Sequence, residues 1–284
     1  MFWLLLACTG EISGTTQGGE DSGSADSASN TDDTGAGVQT DLRQAGPYAV
    51  NSEALTWSLS CEAETTRHWP AGVSEPPVVL LSHGFARSKE NMAEIAEHLA
   101  SWGLEVYTPD LCAFSDHAAN GADLVAAADT LGRPVVYMGY SAGGLASVLA
   151  GAQDSGAVGV VGLDPVDNDG AGASAGLTLP SLGLFGEPGA CNAESNGLAM
   201  FPRQLIATGA DHCDFEGPTD GVCEVFCDGA EASDDPERRA AIRALATAAG
   251  LGLHGDDALL AAWWSPEGEW GSQLVAAGLL RAAP

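Results

Sequence analysis

Arg133-Pro134-Val135-Val136-Tyr137-Met138-Gly139-Tyr140-Ser141-Ala142-Gly143-Gly144-Leu145-Ala146 is the stretch that decides the fold. A short β-branched run leads into Gly139-Tyr140-Ser141-Ala142-Gly143, and an alanine-rich, helix-favouring run from Leu145 to Ala152 leads out. Strand, sharp turn and helix in that order form the setting of a nucleophile elbow. A serine held in a strained turn between strand and helix leaves no room for side chains two residues before or after it, which is a steric reason for Gly139 and Gly143. Ser141 is therefore read as a nucleophile and not as an accidental helix start.

Outward from this stretch the pattern alternates. Leu55 to Cys61 reads as an edge strand and Pro77 to Ser82 as a buried one. Lys89 to Trp102 carries Met92, Ile95, Ala96 and Leu99 at helical spacing and is closed by Gly103. Leu104 to Thr108, Val158 to Leu163, Pro180 to Phe185 and Pro202 to Thr208 read as further strands, and Ala118 to Leu131 as a helix. Asp235-Pro236-Glu237 opens a helix running to about Gly250, with a cap residue before proline in the first turn. This rhythm predicts an α/β fold, a mostly parallel sheet with helices on both faces.

In such a sheet the loops at the carboxyl ends of the strands share one rim, so chemistry is sought there. Ser82-His83-Gly84-Phe85 ends the strand from Val78 and can face Ser141. An oxyanion hole needs two backbone N–H groups aimed at developing charge, and Ala142, following the nucleophile, and Phe85 are the candidates. His83 reads as a structural member of that loop beside the pocket. Tyr140 adjoins the nucleophile, and His117 follows a strand; both are candidates for the pocket lining. The general base is expected late in the chain, where His212 lies just beyond the strand from Gln204 to Thr208. For the acid two carboxylates stand at strand ends, Asp164 after Leu163 and Glu187 after Phe185-Gly186. Pro165 restricts the backbone of Asp164 to an extended or turn conformation at the rim, whereas Glu187 precedes the turn-rich Pro188-Gly189-Ala190-Cys191.

Leu81-Ser82-His83-Gly84-Phe85, Gly139-Tyr140-Ser141-Ala142-Gly143-Gly144, Leu163-Asp164-Pro165-Val166 and Gly209-Ala210-Asp211-His212 together resemble the α/β-hydrolases grouped around chlorophyllase and platelet-activating-factor acetylhydrolase, and more distantly dienelactone hydrolases and cutinases. The resemblance covers about Pro76 to Phe215. It implies a metal-free serine esterase, with Ser141 as nucleophile, Asp164 as acid, His212 as base and Phe85 and Ala142 as oxyanion donors. A cysteine-rich stretch after His212 departs from plant chlorophyllases and argues against chlorophyll as substrate. The expected activity is hydrolysis of a small-molecule or lipid-like carboxylic ester through an acyl-enzyme, without cofactor. Amide or thioester hydrolysis, and a catalytically silent binding lipoprotein, are the alternatives.

Composition bounds the rest. A chain of 284 residues with 45% hydrophobic content can bury one substantial core. A formal charge of −29, from ten Lys and Arg against 39 Asp and Glu, argues against binding nucleic acid or anionic headgroups electrostatically. Leu5-Leu6-Ala7-Cys8 resembles the lipobox of bacterial lipoproteins, which implies lipidation of Cys8 and a membrane link through that anchor only. Residues 1–8 are thus read as a lipoprotein-type signal and 9–46 as a disordered acidic Gly/Ser/Thr/Asp tether. Residues 47–284 are read as the catalytic domain. The expected location is exported, in the cell envelope or outside the cell.

Seven cysteines less Cys8 leave Cys61, Cys112, Cys191, Cys213, Cys223 and Cys227, an even set that suits disulfides in an oxidising compartment. A local bridge is expected among Cys213, Cys223 and Cys227, with Cys191 as a further partner. Cys223 and Cys227 have no matching second pair at ligand spacing, so no metal is expected.

Overall fold

Val78, Val79, Leu80 and Leu81 are all buried, and successive strand residues point to opposite faces, so the sheet they belong to must be covered on both sides. The computed structural model describes residues 41–227 and 235–284. In chain order its elements are β1 (Val50–Ser58), β2 (Glu62–Pro70), β3 (Val78–Ser82), α1 (Ala93–Ser101), β4 (Glu105–Pro109), α2 (His117–Leu131), β5 (Val135–Tyr140), α3 (Ala142–Gln153), β6 (Gly159–Leu163), β7 (Ser181–Phe185), β8 (Arg203–Ala207), α4 (Gly221–Cys227), α5 (Pro236–Leu253), α6 (Asp257–Trp263), α7 (Glu269–Ala276) and β9 (Leu280–Ala282). Short 3₁₀ turns precede α1 and follow β8, the latter spanning His212–Phe215.

The strands form one nine-stranded sheet in the order β1-β2-β4-β3-β5-β6-β7-β8-β9. Every pairing from β4 through β8 is parallel, while β1, β2 and β9 join antiparallel at the two edges. The fold is therefore a mixed α/β architecture with a mostly parallel sheet. On one face Val79, Leu81, Val136 and Met138 pack with α1, α5 and Trp263 of α6. On the other, Val78, Leu80, Val135 and Tyr137 pack with Leu124 of α2 and Val148 of α3. Each fully buried side chain of this size stabilises the fold by about 1.5–3 kcal/mol, so the two layers supply most of the favourable free energy.

Several boundaries differ from the sequence reading. Asp41–Gly46, expected as part of the tether ending at 46, belongs to the folded unit, because it is clamped to the end of α1. There Leu42 is buried and its carbonyl accepts from His98 Nε2 at 2.8 Å, Trp102 Nε1 donates to Gln44 O at 3.0 Å, and Gly46 N donates to Ser101 Oγ at 2.9 Å. One leucine and three hydrogen bonds to α1 and its C-cap Trp102 override the low-complexity composition of this stretch. The hairpin partner β2 was not anticipated, since Glu62-Ala63-Glu64-Thr65-Thr66-Arg67 is polar; it alternates exposed and buried residues only over its first half. Helices α6 and α7 and strand β9 likewise extend the fold beyond the elements expected. Cys8 and most of the expected tether lie outside the described residues.

All six other cysteines are paired: Cys61–Cys112, Cys191–Cys227 and Cys213–Cys223. Three disulfides are consistent with an oxidising, exported environment. Among the described residues no helix is long and apolar enough to cross a membrane.

Candidate active site

Strand β5 delivers Ser141 at its carboxyl end with φ 54° and ψ −123°, a region that L residues rarely occupy and that costs on the order of 1–3 kcal/mol. Hydrogen bonds on both sides impose it. Ser141 N donates to Leu163 O at 3.0 Å, and Ser141 O accepts from Gly144 N at 2.9 Å and Val166 N at 3.2 Å. The flanking glycines are sterically required: a Cβ on Gly139 would collide with Gly143 O, and one on Gly143 with His83 O. Beneath the turn Ser82 Oγ lies 3.2 Å from Met138 O and 3.1 Å from both Gly143 O and Ser147 Oγ, fastening β3 to the start of α3.

His212 follows β8 in the 3₁₀ turn, which Asp211 caps by accepting from Cys213 N at 2.7 Å and Asp214 N at 3.2 Å. Its Nε2 stands 3.0 Å from Ser141 Oγ and its Nδ1 2.7 Å from Asp164 Oδ2. The neutral ring that fits these partners donates Nδ1–H to the carboxylate and accepts the serine O–H at Nε2. Its face lies against Tyr140, with ring centroids 4.8 Å apart.

Asp164 is fully buried at the end of β6, at φ 43°. Its Oδ1 accepts from Gly186 N at 2.9 Å, and Asn192 Nδ2 lies 3.2 Å from each carboxylate oxygen. A buried carboxylate needs such donors to remain charged. Asn192 is itself fixed, with Oδ1 accepting from Gly189 N at 2.8 Å and Ser195 N at 3.1 Å and Nδ2 also donating to Glu187 O at 2.8 Å. The sequence reading missed Asn192, which sits in a turn-rich stretch with no periodic signal. Glu187, the other carboxylate considered, pairs with Arg281 Nη2 at 2.7 Å and accepts from Gly209 N at 3.1 Å. It is thereby engaged at the β8–β9 edge.

The loop after β3 passes directly over the serine: a Cβ on Gly84 would lie 2.9 Å from Ser141 Cβ. His83 is held in this loop by backbone on both sides. Its Nδ1–H donates to Gly84 O at 2.8 Å, and its Nε2 accepts from Leu111 N–H at 3.0 Å. That pattern requires a neutral ring, and burial pushes its pKa down. Phe85 comes next, half-exposed, its ring 4.4 Å from that of Phe114. Ala142 opens α3 on the far side of Ser141.

Two cavities meet at this point. The larger, about 400 Å³, contains Ser141 and His212 and is walled by Phe85, Tyr140, Arg87 and the sulfur-bearing residues Cys191, Cys223 and Cys227. The smaller, about 80 Å³, is lined by His83, Phe85, Phe114, His117 and Ala142. The structure therefore places Tyr140 on the first cavity and His83 and His117 on the second. Arg87 braces the loop from below through Glu216, with Nε–Oε2 at 2.7 Å and Nη2–Oε1 at 2.5 Å. Cys213, Cys223 and Cys227 bring three sulfurs within 4.8 Å of one another, each already in a disulfide and so not a thiolate ligand.

The arrangement can abstract a serine proton, move it along an imidazole and compensate the resulting charge with a buried carboxylate. No protein-family model matches the sequence, and no curated protein matches it significantly.

Proposed function

We propose that this chain is a serine hydrolase of the α/β-hydrolase fold that cleaves carboxylic esters through an acyl-enzyme. The observation that carries this is the continuous relay from Ser141 Oγ to His212 to Asp164, at 3.0 and 2.7 Å, set on a strained turn after a central strand. Ser141 attacks the ester carbonyl while His212 Nε2 takes its proton. Asp164 holds the ring's tautomer and stabilises the imidazolium that forms. The backbone N–H groups of Phe85 and Ala142 are the donors for the oxyanion. His212 then returns the proton to the leaving alcohol, and water releases the acyl group by the same steps in reverse order. The test is hydrolysis of p-nitrophenyl esters. Turnover by the wild type, reduced by several orders of magnitude in Ser141→Ala, supports the proposal, whereas equal turnover by both proteins refutes it.

The chain is further proposed to be exported and anchored through lipid on Cys8. The lipobox-like start and the three disulfides support this. Detergent-phase partitioning that is lost in Cys8→Ser would support the anchor, and partitioning unchanged by that substitution would exclude it.

A further inference from the structure

Helix α4 carries Cys223 and Cys227 one turn apart, so both sulfurs lie on the same face, the one toward the larger cavity. Val225 between them is exposed. The two sulfurs are bonded to different parts of the site. Cys223 joins Cys213, the residue after His212, and Cys227 joins Cys191, the residue before Asn192, whose side chain holds Asp164. One short helix is thus stapled to the loop of the base and to the loop supporting the acid. It also stands as a wall over the space beside Ser141. Tyr140 continues that wall, with its hydroxyl 3.9 Å from Cys223 Sγ and its ring against His212.

We propose that this disulfide-fixed face of α4 determines the size of substrate the site accepts, bounding one side of the larger cavity so that it takes an ester bearing one compact, uncharged apolar arm. This rests on the ester-hydrolase reading of Ser141. The cavity's volume of about 400 Å³ lies near the lower end of the ~300–1,000 Å³ usual for small-molecule sites. Its walls are aromatic rings, aliphatic carbon and disulfide sulfur. Among the described residues of these walls the one permanently charged cation, Arg87, is already paired with Glu216 and Asp220. A free helix of seven residues would yield to a longer chain, since helices this short are marginal on their own. Two covalent bridges remove that freedom. A wall that cannot move disfavours extra methylenes that would meet it, an added methylene in an apolar pocket being discriminated by ~10–200-fold.

The experiment compares wild type with Cys191→Ser/Cys227→Ser, which releases the end of α4 while leaving Cys213–Cys223 beside His212. Activity is read on p-nitrophenyl acetate, butyrate, octanoate and laurate, which vary the acyl arm, and on a matching series of alkyl acetates, which vary the alcohol arm. In one series the wild type should prefer the short arms, and the double variant should reduce the short-to-long kcat/KM ratio by about tenfold, equivalent to ~1.4 kcal/mol. A uniform loss of kcat at every length, with the ratio unchanged, would make the bridge a mere support of the triad and overturn the proposal. Should the double variant fail to fold, Ala86→Leu narrows the same cavity and must shift the ratio further toward short arms. An unchanged ratio there is equally fatal. Binding is read separately in Ser141→Ala, which cannot react, as displacement of Nile red by alcohols from butanol to dodecanol. If no ester is turned over yet the displacement still shows a length limit that the bridge variant relaxes, the esterase reading fails and the wall stands. If displacement shows no length limit, the wall fails whatever the chemistry.

Discussion

His212 Nδ1 stands 2.7 Å from Asp164 Oδ2, while Glu187, the carboxylate at the end of the neighbouring strand, is spent on Arg281 at the same distance. Both carboxylates follow parallel strands and both reach the rim. What separates them is where the backbone turns. Asp164 adopts φ 43° immediately after β6 and points beneath the 3₁₀ turn that carries His212, where Gly186 N and Asn192 supply donors.

The first prediction follows from that contrast. Replacing the carboxylate that orients the base by its amide costs about four orders of magnitude in turnover in serine hydrolases of this geometry. Asp164→Asn is expected to fall by that order while remaining folded, and Glu187→Gln to stay within about tenfold of wild type, ~1.4 kcal/mol of barrier. Steady-state kinetics on a p-nitrophenyl ester, with circular dichroism as the folding control, decides it. A crippled Glu187→Gln beside a normal Asp164→Asn would reverse the assignment.

Asn192 gives a second, graded prediction. It acts on the carboxylate and not on the ester, so Asn192→Ala is expected to lower kcat by about ten- to a hundredfold with KM nearly unchanged, the pattern of an interaction felt in the transition state. A change confined to KM would show that Asn192 shapes the pocket instead.

Arg87 and Glu216 form the third. Their side chains are 7% and 0% exposed, and beyond Arg87 the Glu216 carboxylate accepts from Thr219 Oγ1 at 2.8 Å. Removing one partner of a buried pair strands the other charge and costs about 3–5 kcal/mol. Arg87→Met should therefore lower the unfolding free energy by that order, and Glu216→Gln added to it should recover a substantial part. Additive losses in urea denaturation would show that the two groups are not coupled in the folded protein.

The fourth concerns pH. Burial, reinforced by Arg243, pushes His98 down to about 4 from its ordinary 6.5, against an opposing hydrogen bond to Leu42 O. The folded state then binds fewer protons than the unfolded state between those values. Stability contributed by neutral His98 is complete above about pH 6.5 and is lost as pH falls toward about 4, up to ~3 kcal/mol in total. Burial lowers His68, His83 and His254 in the same direction. Unfolding followed at successive pH values should show a drop in this window that is shallower in His98→Gln. An equal slope in the variant would contradict it.

The parallel centre of the sheet was legible because strands buried on both faces, such as Val78–Ser82 and Val135–Tyr140, are written in uninterrupted apolar residues. Ser141 and Asp164 could be nominated because each directly follows such a strand, and His212 because it lies in the loop after β8; the parallel order brings these strand ends to one rim. The edges were not legible. β2 is polar because solvent covers much of it, and β9 is a three-residue strand set by pairing with β8. Asp41–Gly46 looked like tether because only Leu42 is a large apolar residue there, and the contacts that order it come from His98 and Ser101 of α1 and from Trp102, which caps it. The local bridge expected among Cys213, Cys223 and Cys227 is found as Cys213–Cys223, whereas the link from Cys191 to Cys227 was out of reach because it depends on how α4 lies against the loop after β7. Asn192 carries its meaning only through its distance to Asp164.

The most direct test of the account is the mass of a covalent adduct. After brief treatment with a fluorophosphonate, intact-mass spectrometry should show one added phosphonyl group on the wild type, and peptide mapping should place it on Ser141. His212→Ala should react far more slowly and Ser141→Ala not at all. A phosphonyl adduct that persists in Ser141→Ala, or a folded wild type that takes up none, would contradict the claim that Ser141 is the nucleophile.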